Sequence, residues 1–326
     1  MLQAFWIALM SARLLDWRAE DSAHFGRRPL ALRHRAHLSP LFSDAALIRL
    51  IDATPRAKIH VNTMPRNVRD PRQWREGDLG KLSGAAVMAA VAKGNLWLHL
   101  RRVHETDPAY GELLDALFGE IADHVPGFRS YRRSMSVLVS SPKMSVAYHS
   151  DVPGQSLWQV RGNKRAYVYP AAAPFLPQRA LENIVLKRDR DTDLPYNASF
   201  DAQATVVDLE AGDWATWPRA CPHRVVNEDC VNISFTTEHW TDDLRAGYAV
   251  DYANGLLRPW LGGRDLSRKT HGPAALVKFG VAGAHKALTG QLARRRPPRL
   301  DLNIDFRVDP AAPGGFVDLA PYRVAR

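Results

Sequence analysis

Cysteine is scarce: Cys221 and Cys230 are the only two in 326 residues. That excludes a disulfide-stapled secreted scaffold. The two do not form a CxxC pair, which argues against a thiolate zinc site. Long apolar runs are also missing. The most apolar N-terminal stretch is Leu2 to Met10, whereas a membrane-spanning helix needs about 20 such residues. No basic segment precedes that stretch, and Arg13, Asp16 and Arg18 follow it where a small-residue cleavage site would stand. A signal peptide is therefore not expected, and the expected location is the cytoplasm. Residues Leu2 to Trp17 read instead as a short amphipathic helix packed on the domain. No internal repeat, RNP signature, zinc finger or heptad run is present.

What the chain does hold is the material for a sizeable core. Hydrophobic residues make up 46% of it, with nine Trp, nine Tyr and eleven Phe, which excludes disorder for the bulk of the protein. The formal net charge of +10 favours anionic partners in general. It is spread out, however, apart from Arg27, Arg28, Arg33, His34 and Arg35, and a second group at Arg294, Arg295, Arg296 and Arg299. These groups read as solvated surface and, around Pro297 and Pro298, a stiff linker.

The hydrophobic pattern divides the chain into four parts. Residues 1–40 form an N-terminal extension. Residues 41–129 are mixed and helix-rich. Ser43 caps a helix to about Asp52, Ala57 to Asn62 reads as a strand, and Asn67 to Gly80 as a loop. Ser83 to Lys93 is a helix stopped by Gly94, and Asn95 to Arg101 is a strand. Asp107 with Pro108 starts a helix whose buried face is Leu113, Leu114, Leu117, Phe118 and Ile121. Residues 130–240 switch to short alternating strands. Gly162-Asn163 and Ala211-Gly212-Asp213 mark tight turns between them. This spacing predicts a sandwich or jelly-roll barrel. The charged stretch from Pro174 to Ala204 reads as an excursion over the barrel mouth. Residues 241–326 return to helix, clearest from Ala274 to Leu292, and close in a Pro-rich tail that reads as irregular.

Within the β-rich part, His149 and Asp151 form an H-x-D pair. Residues two apart on a strand face the same way, so an imidazole and a carboxylate there can hold one metal from one side. His223, in WPRACPHRVVN, is the candidate third ligand. Two histidines and one carboxylate leave three coordination positions open, the arrangement of non-haem Fe(II) oxygenases.

The surrounding motifs carry a resemblance. The run HSDVPGQSLWQVRGNKRAYVYP resembles the JmjC and cupin-like Fe(II)/2-oxoglutarate oxygenases, in particular the asparaginyl-hydroxylase branch called factor inhibiting HIF. Gln159, Gly162, Lys164, Arg165, Tyr169 and Pro170 fall at the pattern's positions. So do Gly212, Asp213, Pro218 and His223 in the distal block. The resemblance covers Met144 to Trp240. It implies a double-stranded β-helix (jelly-roll, cupin-like) core, mainly β with flanking helices. It further implies Fe(II) on His149, Asp151 and His223, and 2-oxoglutarate paired through its distal carboxylate with Lys164. Gln155 stands where the branch has an amide near the cosubstrate. The family's assisting threonine is Val146 here, so a hydroxyl must come from elsewhere, with Ser136, Tyr131 and Tyr148 as candidates. The intact Asp151 implies hydroxylation, or demethylation when an N-methyl carbon is oxidised, rather than halogenation. Substrates in the family include proteins, RNA bases and small molecules, so the partner class stays open. C-terminal helices dimerise in the resembling branch, which implies a possible homodimer.

Other readings compete. One is a metal-dependent cupin enzyme that does not use 2-oxoglutarate. Others are a non-catalytic cupin-like binding module and a basic RNA- or lipid-associated protein on the same scaffold. Among remaining residues, Trp158, Trp214 and Trp240 read as core. Trp217 does too. Cys221 and His239 read as structural.

Overall fold

A computed structural model gives the fold, describing residues 12–63, 74–262, 265–295 and 301–325. Most of the expected N-terminal amphipathic helix lies outside these residues. Its described end is instead the short strand β1 (Leu15–Asp16), followed by β2 (Leu30–His34). Next come helix α1 (Asp44–Ala53), strands β3 (Ile59–Thr63) and β4 (Arg75–Asp78), helix α2 (Gly84–Lys93), strand β5 (Trp97–Leu100) and helix α3 (Pro108–His124). All three helices start at the residue that chemistry favours. The Ser43 and Ser83 hydroxyls accept from backbone N–H groups of α1 and α2, and the Asp107 carboxylate does so for α3 behind Pro108. Strand β4 corrects the loop expected there. Its sequence REGD has no apolar alternation, and only its neighbours make it a strand.

Eight strands then build the barrel: β6 (Tyr131–Ser140), β7 (Ser145–His149), β8 (Gly154–Arg161), β9 (Lys164–Val168), β10 (Thr205–Leu209), β11 (Asp213–Trp217), β12 (His223–Asn227) and β13 (Asn232–Trp240). One four-stranded sheet runs β10-β9-β12-β7, and the opposing sheet contains the run β11-β8-β13-β6. Successive strands alternate between the sheets except at β9 and β10, which pair within the small sheet across the 174–204 excursion, and the result is a double-stranded β-helix. The tight turns at Gly162-Asn163 and Gly212-Asp213 therefore join strands of different sheets and do not close hairpins. Gly162 and Gly212 both adopt positive φ to make these crossings.

The larger sheet continues past the barrel on both sides. Strand β2 pairs with β11, and β5 with β6, followed by β3 and β4. Alternation along β6 shows the layering. Met135, Val137 and Val139 pack outward against α1, α2 and α3, with Trp158, Trp214 and Phe235 in the same cluster, while Leu138 points into the barrel. Trp158 and Trp214 stack with ring centroids 4.2 Å apart and so are core, as expected.

The 174–204 excursion contains a helix, α4 (Gln178–Val185), which the sequence reading did not contain. Helix α5 (Asp242–Leu261) packs on α4 over the outer face of the small sheet, with Tyr148, Leu181 and Ala253 in one cluster. Helix α6 (Pro273–Arg295) lies against α5, joined by a hydrogen bond between Tyr252 and His285 at 2.9 Å.

The tail is not irregular. Strands β14 (Asp301–Val308) and β15 (Phe316–Ala325) form a hairpin, and β14 pairs in parallel with β4. Arg75 of β4 binds Asp305 and Asp318 on the two hairpin strands. Gly77 sits under the Phe306 ring, where an added Cβ would come within 2.2 Å of a ring carbon. Gly77→Val is therefore expected to cost about 1–3 kcal/mol by overpacking, read as a lower thermal midpoint with metal binding retained.

Candidate metal centre and its cavity

His149 is the last residue of β7, and its register partner on β12 is His223. A bulge lies just beyond this pair, where Val225 aligns with Val146. Three steps on β7 thus match two on β12. The irregularity lets His149 and Val146, three residues apart, both face the interior, as bulges near functional sites commonly do. Asp151 follows the strand in the turn leading to β8.

The side chains converge. Asp151 Oδ2 lies 3.8 Å from His149 Nε2 and 3.4 Å from His223 Nε2. One ligand atom from each residue falls within 4.8 Å of the others, and this is the only such group among the described residues. Both imidazoles are oriented by backbone. His149 Nδ1 is 2.8 Å from the Ala147 carbonyl, and His223 Nδ1 is 3.1 Å from that of Cys221. A carbonyl only accepts, so each Nδ1 carries the hydrogen and each Nε2 keeps a lone pair aimed at its neighbours. Burial, reinforced by His223, lowers the His149 pKa and keeps that ring neutral. Burial would raise Asp151, but the neighbouring His223 and His149 outweigh this and bring it to about 2. Two imidazole nitrogens and a carboxylate, with the Nδ1 hydrogens turned away, fit a divalent cation. The expected triad is thus brought together.

Around it opens a cavity of about 430 Å³. Asp191 and Thr192 from the excursion reach its lining, placing that segment at the mouth as expected. Trp217 also lines it, 4.6 Å from the His223 ring between centroids, so it belongs to the site rather than to the core alone. The opposite wall comes from β5, β3, β4 and β13. It includes His99, Glu238 and a bonded set in which His60 Nδ1 lies 2.7 Å from Glu76, whose other oxygen accepts from Asn62 at 2.7 Å. Burial, with His60 and Arg101 adding, lowers His99 to about 3, and it stays neutral. Burial and the nearby Asp151 raise Glu238. The sequence reading overlooked these residues. Their signal was a polar side chain within an otherwise apolar strand, as His99 is in the WLHL of β5.

Lys164 faces inward from β9, with the same parity as Ala166 and Val168 of the barrel core. Its ammonium donates to Ser234 Oγ at 2.6 Å, and Ser234 donates to Gln159 Oε1 at 2.9 Å. A void of about 20 Å³ adjoins it, about the room of one water. Trp97, Leu138, Val146, Leu157 and Val225 line both this void and the large cavity. An apolar collar therefore separates the triad from the lysine. Among the described residues no carboxylate pairs with Lys164, and burial lowers it to about 7. The hydroxyls suggested from sequence lie elsewhere. Tyr148 donates to the Phe175 carbonyl, Tyr131 to that of Thr241, and Ser136 accepts from the Arg102 backbone. The polar groups beside Lys164 are instead Ser234, Ser140 and Asn227.

Gln155 is on β8, away from Lys164, and its amide donates to Asp151. Cys221 is buried and raised to about 11, and His239 is buried and lowered to about 4; both are structural.

No protein-family model matches the chain, and no curated protein does. Among solved structures, the chain is similar to ycfD of Escherichia coli, with a TM-score of 0.47 and 17% identity, covering 87% of this chain and 70% of that one. A second structure, described as YcfD, a ribosomal oxygenase from Escherichia coli, in complex with cobalt and 2-oxoglutarate, gives 0.46 and 16% over 87% and 69%.

Proposed function

We propose that this chain is an Fe(II)- and 2-oxoglutarate-dependent oxygenase that hydroxylates a C–H bond. The observation that carries the reading is Lys164. A buried ammonium without a carboxylate partner is costly, and here it lies behind an apolar collar from a two-histidine, one-carboxylate cluster. A ligand that is apolar in the middle and carboxylate at both ends satisfies both. 2-Oxoglutarate has that form.

In this reading His149, Asp151 and His223 hold Fe(II) on one side and leave the other side open. Lys164 and Ser234 bind the distal carboxylate, and the collar excludes water from the carbon chain between. When bound, Fe(II) with 2-oxoglutarate and dioxygen supplies C–H oxidation with release of succinate and carbon dioxide. The Ala147 and Cys221 carbonyls keep the hydrogens of both ligating rings off the metal side. Trp217, His99 and Glu238 face the space left for substrate, which is a protein, an RNA or a small molecule. The test is anaerobic addition of Fe(II) and then 2-oxoglutarate to the apo-protein, followed by the visible metal-to-ligand charge-transfer band. Metal binding with no band at saturating 2-oxoglutarate would overturn the reading.

The location proposed is the cytoplasm; no described helix is long and apolar enough to cross a membrane. A homodimer through the C-terminal helices is part of the proposal. It is supported by exposed apolar side chains on α5 and α6, namely Trp260, Leu261, Leu276, Val277 and Leu288. Light scattering should give twice the chain mass for the native protein, and the monomer mass for a Leu276→Glu, Leu288→Glu variant. A native monomer at micromolar concentration would refute the dimer.

A further inference from the structure

Asp151 is the least constrained of the three ligands. It follows the end of β7, outside any strand ladder. Its one side-chain hydrogen bond among the described residues comes from the opposite sheet. Gln155 Nε2 donates to Asp151 Oδ2 at 2.5 Å. The reverse orientation of the amide would set two acceptors against each other, so the N–H side faces the carboxylate. Gln155 itself is firmly held. It lies on the central strand β8 between Trp217 of β11 and Glu238 of β13, and its backbone carbonyl accepts from Thr216 Oγ1 at 2.9 Å.

The other end of this amide is unsatisfied. Gln155 Oε1 is buried with no hydrogen-bond partner among the described residues, on a side chain only 9% exposed. A buried acceptor left unpaired costs about 1–3 kcal/mol. Gln155 borders the same cavity as Thr236, Glu238 and the triad.

We infer that Gln155 is a two-ended positioning residue. Its N–H fixes the Asp151 carboxylate for the metal, and its carbonyl oxygen receives an N–H or O–H donor that the substrate carries beside the oxidised carbon. The substrate class is thus one with a hydrogen-bond donor near the reacting position, and filling Oε1 tightens the hold on Asp151. The inference rests on the metal-centre part of the proposed function and not on 2-oxoglutarate.

The test uses Co(II) and its visible d–d spectrum on the whole chain. Gln155→Leu keeps the volume and removes both polar ends. It should weaken Co(II) binding about 10- to 100-fold, the range for residues that orient metal ligands, with circular dichroism unchanged. Gln155→Glu, which opposes two carboxylates, should weaken it as well. Acetamide, which carries N–H donors, should shift the spectrum of the Co(II) protein saturably. N,N-dimethylacetamide, which carries none, should not, and acetamide should leave Gln155→Leu unchanged. Native Co(II) affinity in Gln155→Leu would overturn the positioning role. Equal responses to the two amides, or no response to acetamide, would overturn the acceptor role. Asp151→Ala runs alongside. If it binds Co(II) like the native protein, the metal centre itself is wrong, a failure distinct from either of these.

Discussion

Asp151→Ala is expected to bind Co(II) or Fe(II) more than about 100-fold more weakly than the native protein. The effect should exceed that of residues which only orient ligands. Asp151 is the anionic member of the set and lies within 4 Å of both Nε2 atoms. Without it two imidazoles remain, with ring centroids 4.1 Å apart, and no anionic ligand is left to offset the charge of the cation. Calorimetric titration with Co(II) checks the affinity, and the charge-transfer band with Fe(II) and 2-oxoglutarate should disappear in parallel. His223→Ala should behave similarly. The fold should persist in both, since the triad belongs to none of the apolar clusters that pack the sheets. Native metal affinity in Asp151→Ala would leave the cluster without a metal role.

Lys164→Met should separate metal from cosubstrate. Co(II) affinity should stay near native, because the lysine lies beyond the collar. The 2-oxoglutarate needed for half-maximal band should rise about 30-fold or more, corresponding to loss of a buried charge-paired hydrogen bond worth roughly 2–5 kcal/mol. The apo-protein should become more stable, since an unpaired buried cation is replaced by an apolar chain of similar length. pH adds a second signature. Burial lowers Lys164 to about 7 in the folded protein, against about 10.4 when unfolded. Between these values the unfolded chain holds the extra proton, so the lysine's destabilising effect is full below about pH 7 and fades toward pH 10. A dicarboxylate needs the protonated form. Its affinity should therefore fall by up to tenfold per pH unit above about 7 in the native protein, and this dependence should flatten in Lys164→Met. A flat native profile would remove Lys164 from the site.

Local chemistry made much of this legible. Ser43, Ser83 and Asp107 announce their helices because a cap is a contact between near neighbours. The strands of the barrel announce themselves by alternation. Which strands become partners was less accessible. A Gly-Asn turn fixes where the chain reverses, not whether the next strand joins the same sheet, and here it joins the other one. The triad was readable because His149 and Asp151 are two residues apart in sequence and the motifs around His223 point to it. His99 and Glu238 were not, because only long-range pairing of β5 and β13 brings them opposite Asp151. The terminal hairpin is a different case. Leu302, Ile304, Phe306 and Val308 alternate cleanly and are buried or nearly so along one face. Pro310, Pro313 and Pro321 masked that signal, although an edge strand tolerates proline.

That hairpin also bears on the order of assembly. Chains emerge from the ribosome at about 5–20 residues per second, and early segments fold first. The barrel is complete in sequence at Trp240, so the ligand-bearing half can form while the rest is still being made. Strand β4, which carries Glu76 into the cavity, is paired on one side by β3 near it in sequence and on the other by β14, over 220 residues later. Contacts so distant form late because closing a long loop must come before any gain from pairing. The β4 edge of the wall opposite the metal is thus the last part of the pocket to set, and a nascent chain can hold its ligands in place before Glu76 is fixed beside the space where substrate enters.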